Sequence, residues 1–134
     1  MKALTLHQPW ATLIAQGHKR VENRTWRTGY RGPLAIHAGL KLDPAGFALA
    51  RRLGIELPEE LPHGAIVAVS YMIDCMPIAA WFDLADYPPA FRNFAAGPWC
   101  WILADVEALA EPVPCLGRQG VFEVDLPVPY SQRG

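Results

Sequence analysis

The run Gly17-His18-Lys19-Arg20-Val21-Glu22-Asn23-Arg24 constrains the fold more than any other part of the chain. It follows a short amphipathic segment in which Trp10, Leu13 and Ile14 make an apolar stripe. Pro9 suits the first turn of that helix, where a missing N–H is no loss, and Gly17 suits its left-handed cap. Residues 19–26 then read as a strand. Alternation along a strand puts Glu22, Arg24 and Trp26 on one face, with Lys19 at the corner able to turn toward them. A carboxylate between two cations can orient both, and the group can hold an anionic or amide-bearing ligand. The competing interpretation is a solvated ion-pair strand, which contributes little.

The rest of the chain alternates short strands and short helices without repeats or linkers, so all 134 residues form a single domain. Strands are expected at Lys2–Leu6 and Pro33–Ala38, the second with Leu34 and Ile36 facing one way and His37 the other. Asp43-Pro44 reads as an N-cap followed by proline at the first helical position, so a helix runs to about Leu53 and stops at Gly54. Ala65–Cys75 is a long strand with Val67, Val69, Tyr71, Ile73 and Cys75 on its core face. Residues 77–98 make a proline-rich excursion, Trp99–Asp105 and Val121–Leu126 complete the sheet, and a tail begins near Pro127. The fold class is therefore α+β: a closed or nearly closed β-barrel of five to six strands with two or more helices packed outside.

Half of the residues are hydrophobic, which a disordered chain would not carry. No apolar run approaches membrane-span length, and Gln8-Pro9 and Gln16-Gly17 interrupt any signal-like core. Cys75, Cys100 and Cys115 are odd in number and widely spaced; no zinc-ligand spacing occurs, so neither a metal nor a cofactor is expected. A reducing, cytoplasmic setting suits such thiols. The net charge of −1 hides an asymmetry. Residues 1–52 carry three Lys and six Arg against Glu22 and Asp43, a net +7, and residues 53–134 a net −8. The basic half can attract phosphates, while the near-neutral total argues for local recognition of a nucleotide or single strand.

Leu4-Thr5-Leu6-His7-Gln8-Pro9-Trp10 before the charged run, and Tyr30-Arg31-Gly32-Pro33-Leu34-Ala35-Ile36-His37 after it, give an ordered set. With Gly-x-Lys-x-x-Glu-x-Arg at its centre, this set resembles the ASCH family (activating signal cointegrator-1 homology). Gly64-Ala65-Ile66-Val67, Gly97-Pro98-Trp99-Cys100-Trp101 and Gly117-Arg118-Gln119-Gly120 extend the resemblance over nearly the whole chain. The resemblance implies a PUA-like barrel with a cleft beside it, and binding of nucleic acid or a nucleobase.

Two functions are compatible with these residues. In a binding module, Trp10, Lys19, Glu22, Arg24, Trp26 and His37 would line a cleft for a base or short RNA, with Arg27 and Arg31 on its backbone. Trp10 could equally be a core anchor, His37 structural and Arg31 merely solvated. The alternative is a small hydrolase, a ribonuclease or N-acyl-cytidine amidohydrolase, with Lys19, Glu22 and His37 as the catalytic group. In the amidohydrolase branch of the family a threonine stands three residues after the lysine. Glu22 occupies that position here, which removes the hydroxyl. RNA, single-stranded nucleic acid or a nucleotide is the expected partner, membranes are not, and a protein partner is the remaining option.

Overall fold

The computed structural model describes residues 1–81 and 83–126. The tail expected from Pro127 lies outside the described residues. Six strands form one sheet: β1 (Lys2–Gln8), β2 (Val21–Arg24), β3 (Gly32–Leu42), β4 (Ala65–Pro77), β5 (Trp99–Pro114) and β6 (Val121–Glu123). Helix α1 spans Trp10–Ala15, α2 spans Pro44–Arg52 and the short α3 spans Pro89–Arg92. The strand order is β2-β5-β4-β3-β1-β6. Only the β1–β3 pairing is parallel; the others are antiparallel.

The expected α+β class is present, but the sheet does not close: β2 and β6 remain its two edges. It is strongly curled all the same. The Arg24 guanidinium on β2 donates from Nη2 to the Thr5 carbonyl on β1 at 2.8 Å, although three strands lie between them in the sheet order. Curling of this kind follows from irregular ladders. The β4–β5 register shifts at three points and Asp105 adopts φ 50°, each a place where an added residue bends the strand.

Those irregularities also account for two departures from the sequence-based expectations. β5 does not end at Asp105 but continues to Pro114, its second half pairing with the start of β4. Ile73, expected on the core face, is exposed, because the register shift between Met72 and Asp74 breaks the alternation and leaves Met72 inside. β2 is shorter than expected, Val21–Arg24, and Lys19 belongs to the turn before it.

Three clusters of apolar residues share the interior. Leu4, Leu34, Ile36, Met72, Trp101 and Leu103 pack together from β1, β3, β4 and β5. Ala3, Ala35, Ile66, Val69 and Phe122 pack together from β1, β3, β4 and β6. A third cluster joins Val21 and Ile102 to Trp81 and Phe94 of the excursion and Ala50 of α2. Helix α1 has no free face: Ile14 belongs to the first cluster and Leu13 to the third. At six residues it could not persist alone, so packing holds it.

Helix α2 is fixed where the sequence indicated. The Asp43 carboxylate caps it, accepting from the Ala45 N–H at 3.0 Å, and also accepts from Trp10 Nε1 at 2.8 Å. α2 approaches α1 so closely that a Cβ on Gly46 would lie 2.7 Å from Pro9 Cδ. The hydrogen bonds from Trp10 and from the Ala45 amide hold the Asp43 carboxyl below its usual range. A depressed folded-state value means stability that is present above the unfolded pKa and lost as pH falls through the folded one. Asp43→Ala should therefore cost about 1 kcal/mol at neutral pH. In urea melts the gap from wild type should narrow below about pH 4; a gap that stays constant down to pH 2 would remove the carboxylate from this account.

Candidate functional site

The charged run folds into a buried ion-pair chain. Gly17, at φ 86°, turns the backbone out of α1, and the His18 and Lys19 amides both donate to the Leu13 carbonyl. This turn sends the Lys19 side chain back under Trp10, with Nζ 5.6 Å from the ring centroid. Lys19 is 2% exposed. Its ammonium donates to Glu22 Oε1 at 2.8 Å and, over a shorter contact, to the Val21 carbonyl. The other carboxylate oxygen of Glu22 lies 3.0 Å from Arg24 Nε. That N–H is not aimed at the oxygen, so the contact is an ion pair without a formed hydrogen bond. Arg24 then reaches on to the Thr5 carbonyl through Nη2.

Exposure rises along this chain from Lys19 to Arg24. The Glu22 side chain is 12% exposed and that of Arg24 is 25% exposed. Two cations against one carboxylate leave a net positive charge, and it emerges at Arg24. Glu22 pairs across the ladder with Trp101, and Arg24 with Trp99. Trp26 stands beyond them, 39% exposed, with its ring edge-on to Trp101 at 4.6 Å between centroids. The Arg27 guanidinium lies 5.9 Å from the Trp99 ring centroid. The result is an aromatic and cationic surface beside the buried pair, built from Arg24, Trp26, Arg27 and Trp99.

The other face of β2 is structural. Asn23 Oδ1 accepts from the amides of Ala96 and Gly97, both at 2.9 Å, and its Nδ2 donates to the Phe94 carbonyl. This single side chain ties the 77–98 excursion to the charged strand. Alternation in the motif thus separates two tasks.

The remaining expected site residues fall into different surroundings. Trp10 is half-buried, packed on two apolar clusters and bonded to Asp43. Arg31 is exposed, 3.4 Å from Asp74, and donates to the carbonyls of Thr28 and Tyr30. Its contacts therefore hold the turn before β3, and Asp74 is its counter-ion. His37 is 2% exposed, with Nδ1 3.0 Å from the Thr5 hydroxyl and Nε2 2.7 Å from the Cys115 carbonyl. A carbonyl only accepts, so Nε2 carries a proton and donates to it, while Nδ1 and the Thr5 hydroxyl share the second hydrogen bond. Both ring nitrogens are engaged away from Glu22. Among the described residues no three of His, Cys, Asp and Glu gather to hold a metal ion.

Sequence reasoning overlooked Thr5, which receives Arg24 on its carbonyl and His37 on its hydroxyl. It also overlooked Gln8, fully buried, which accepts from the Thr12 amide and donates to the Pro62 carbonyl. Neither carries a charge or a spacing signal that would have marked it.

The ASCH domain family matches residues 4–113. The chain belongs to the ASCH family. It is 40% identical over 130 residues to activating signal cointegrator 1 of Mus musculus and 28% identical to that of Homo sapiens. Each comparison covers 91% of this chain but only 22% of the relative, so the chain spans about a fifth of those proteins. An ASCH protein of Zymomonas mobilis has the same fold at 13% identity, with TM-score 0.55 over 98% of this chain and 91% of that one. Its Y47F variant gives TM-score 0.58, covering 94% of that chain.

Removing one partner of a buried ion pair leaves an unpaired buried charge. Glu22→Ala leaves the buried Lys19 ammonium without its carboxylate partner, and should therefore cost about 3–5 kcal/mol in denaturant unfolding. Lys19→Met combined with Glu22→Gln should recover most of that loss, because the one cation then left without the carboxylate, Arg24, reaches solvent. A Glu22→Ala cost below about 1 kcal/mol would place the pair among ordinary surface salt bridges.

Proposed function

We propose that this ASCH domain binds single-stranded RNA or a nucleotide on the surface formed by Arg24, Trp26, Arg27 and Trp99. The observation that carries the proposal is the exposed indole of Trp26, packed edge-on against Trp101, the cross-strand neighbour of the buried Glu22. Exposing a large aromatic ring is unfavourable unless something covers it, and nucleobases stack on such rings for about 1–3 kcal/mol each. Arg24 and Arg27 supply the charge for phosphates. Lys19 and Glu22, shielded from solvent, serve in this reading as a strut that aims Arg24 rather than as direct contacts. Trp10 supports that strut from behind. His37 and Arg31 support neighbouring loops. The net +7 of residues 1–52 adds long-range attraction. The free thiols of Cys75, Cys100 and Cys115 suit the cytoplasmic setting proposed for it. No helix among the described residues is long and apolar enough to cross a membrane.

The hydrolytic alternative would need Lys19, Glu22 and His37 to act on one substrate. The engaged nitrogens of His37 and the buried ammonium of Lys19 lend it less support than the exposed Trp26 lends to binding.

Fluorescence anisotropy with a labelled single-stranded RNA, repeated across salt concentrations, tests this. Arg24→Ala and Arg27→Ala should each weaken binding and reduce the salt slope by about 0.7, one phosphate contact on a single strand. Trp26→Ala should weaken binding about tenfold with the slope unchanged, because stacking is not ionic. Wild type should leave RNA and N-acylated cytidine intact over hours. Cleavage of either, abolished in a folded Lys19→Met/Glu22→Gln variant, would replace binding with hydrolysis.

A further inference from the structure

A cavity of about 870 Å³ opens between the end of β3 and the loop after β5. Its volume falls within the usual range for small-molecule sites, about 300–1,000 Å³. Its floor is the Thr5–His37 pair. The hydrogen bond from His37 Nε2 to the Cys115 carbonyl draws the β5–β6 loop down onto that floor. Gly117 completes it: a Cβ there would meet His37 Cε1 at 2.8 Å and Thr5 Oγ1 at 2.9 Å. Only glycine permits so close an approach.

The walls are aliphatic and the rim is basic. Leu40 and Leu116, both lining the cavity, are 80% and 86% exposed. Lys41 follows Leu40 directly, Arg118 lies two residues after Leu116, and both line the same space. Neither cation takes part in an ion pair among the described residues. Among the described residues no carboxylate lines the cavity. Leucines beside two cations match a ligand with an aliphatic body and an anionic head.

We infer that this cavity is a binding site for a small aliphatic carboxylate, its chain against Leu40 and Leu116 and its carboxylate on Lys41 and Arg118. Thr5 lies between this site and the RNA surface, since Arg24 donates to its carbonyl, but neither Arg24 nor Trp26 lines the cavity. The two cations of the lining stand at the rim, so the aliphatic chain enters first and the head stays with them.

Titration of the full chain with octanoate, followed by amide NMR, tests the inference. Saturable shifts should appear at Thr5, Leu116 and Gly117. Octanol, with the same chain and no charge, should bind at least about tenfold more weakly, as should octanoate to Lys41→Ala/Arg118→Ala. Leu116→Asp should abolish binding while the remaining spectrum stays unchanged, since the side chain is exposed. Trp26→Ala should bind octanoate as wild type does, which separates this site from the RNA surface. Absence of saturable shifts, equal binding of octanol, or tighter binding of AMP than of octanoate would overturn the inference.

Discussion

The Glu22 carboxylate is the point on which the rest of this structure depends. A charge taken out of water is costly unless its partners come with it. Here the partners arrive from both sides, Lys19 from the turn after α1 and Arg24 from two residues along the same strand. The three groups therefore fix several relations together. They set the angle between α1 and β2, the face of β2 that looks inward and the path of Arg24 across the sheet gap. The aromatic residues around them supply the low-polarity wall that makes the pairing strong. Trp10 covers Lys19 and Trp101 stands beside Glu22 in the ladder.

Around that point the fold solves a packing problem with very short elements. A helix of six residues would melt if it had to hold itself together. α1 persists because it lies between two apolar clusters and because Gln8, not the residue at its cap, accepts from the Thr12 amide. The Asp43–Trp10 bond then ties α2 to α1, and Asn23 ties the 77–98 excursion to β2. Each of these ties uses a polar side chain to anchor a segment that is too short or too irregular to stand on propensity.

Much of this was legible in the chain. Gly17 and Asp43-Pro44 are local signals, decided by backbone conformation and capping, and both lie where the sequence placed them. Strand alternation puts Glu22 and Arg24 on one face, and the turn at Gly17 brings Lys19 to them. What stayed hidden depends on distant partners. Ile73 points outward because a register shift against β5 reverses the alternation, and no local feature of β4 announces it. β5 runs past Asp105 because β4 offers it a continuing partner, although a non-glycine residue at positive φ interrupts its own pattern. His37 was legible as turned away from Leu34 and Ile36, but not as engaged on both nitrogens, since Cys115 lies 78 positions onward.

The open edge of the sheet accounts for how the charged chain ends. β6 pairs with β1 only over Lys2–Leu4. The Met1 carbonyl accepts from Val124 on that side, and strand alternation directs the carbonyls of Ala3 and Thr5 the same way. Thr5 is thus the first carbonyl in the series that β6 is too short to reach. A fully closed barrel would have used it in a ladder, and Arg24 would have had no acceptor. Because closure stops one residue early, the guanidinium takes the place of a strand, satisfying a backbone group while keeping part of its charge at the surface. The same incompleteness that denies this domain a continuous barrel is what holds an arginine in a fixed position at the barrel's mouth.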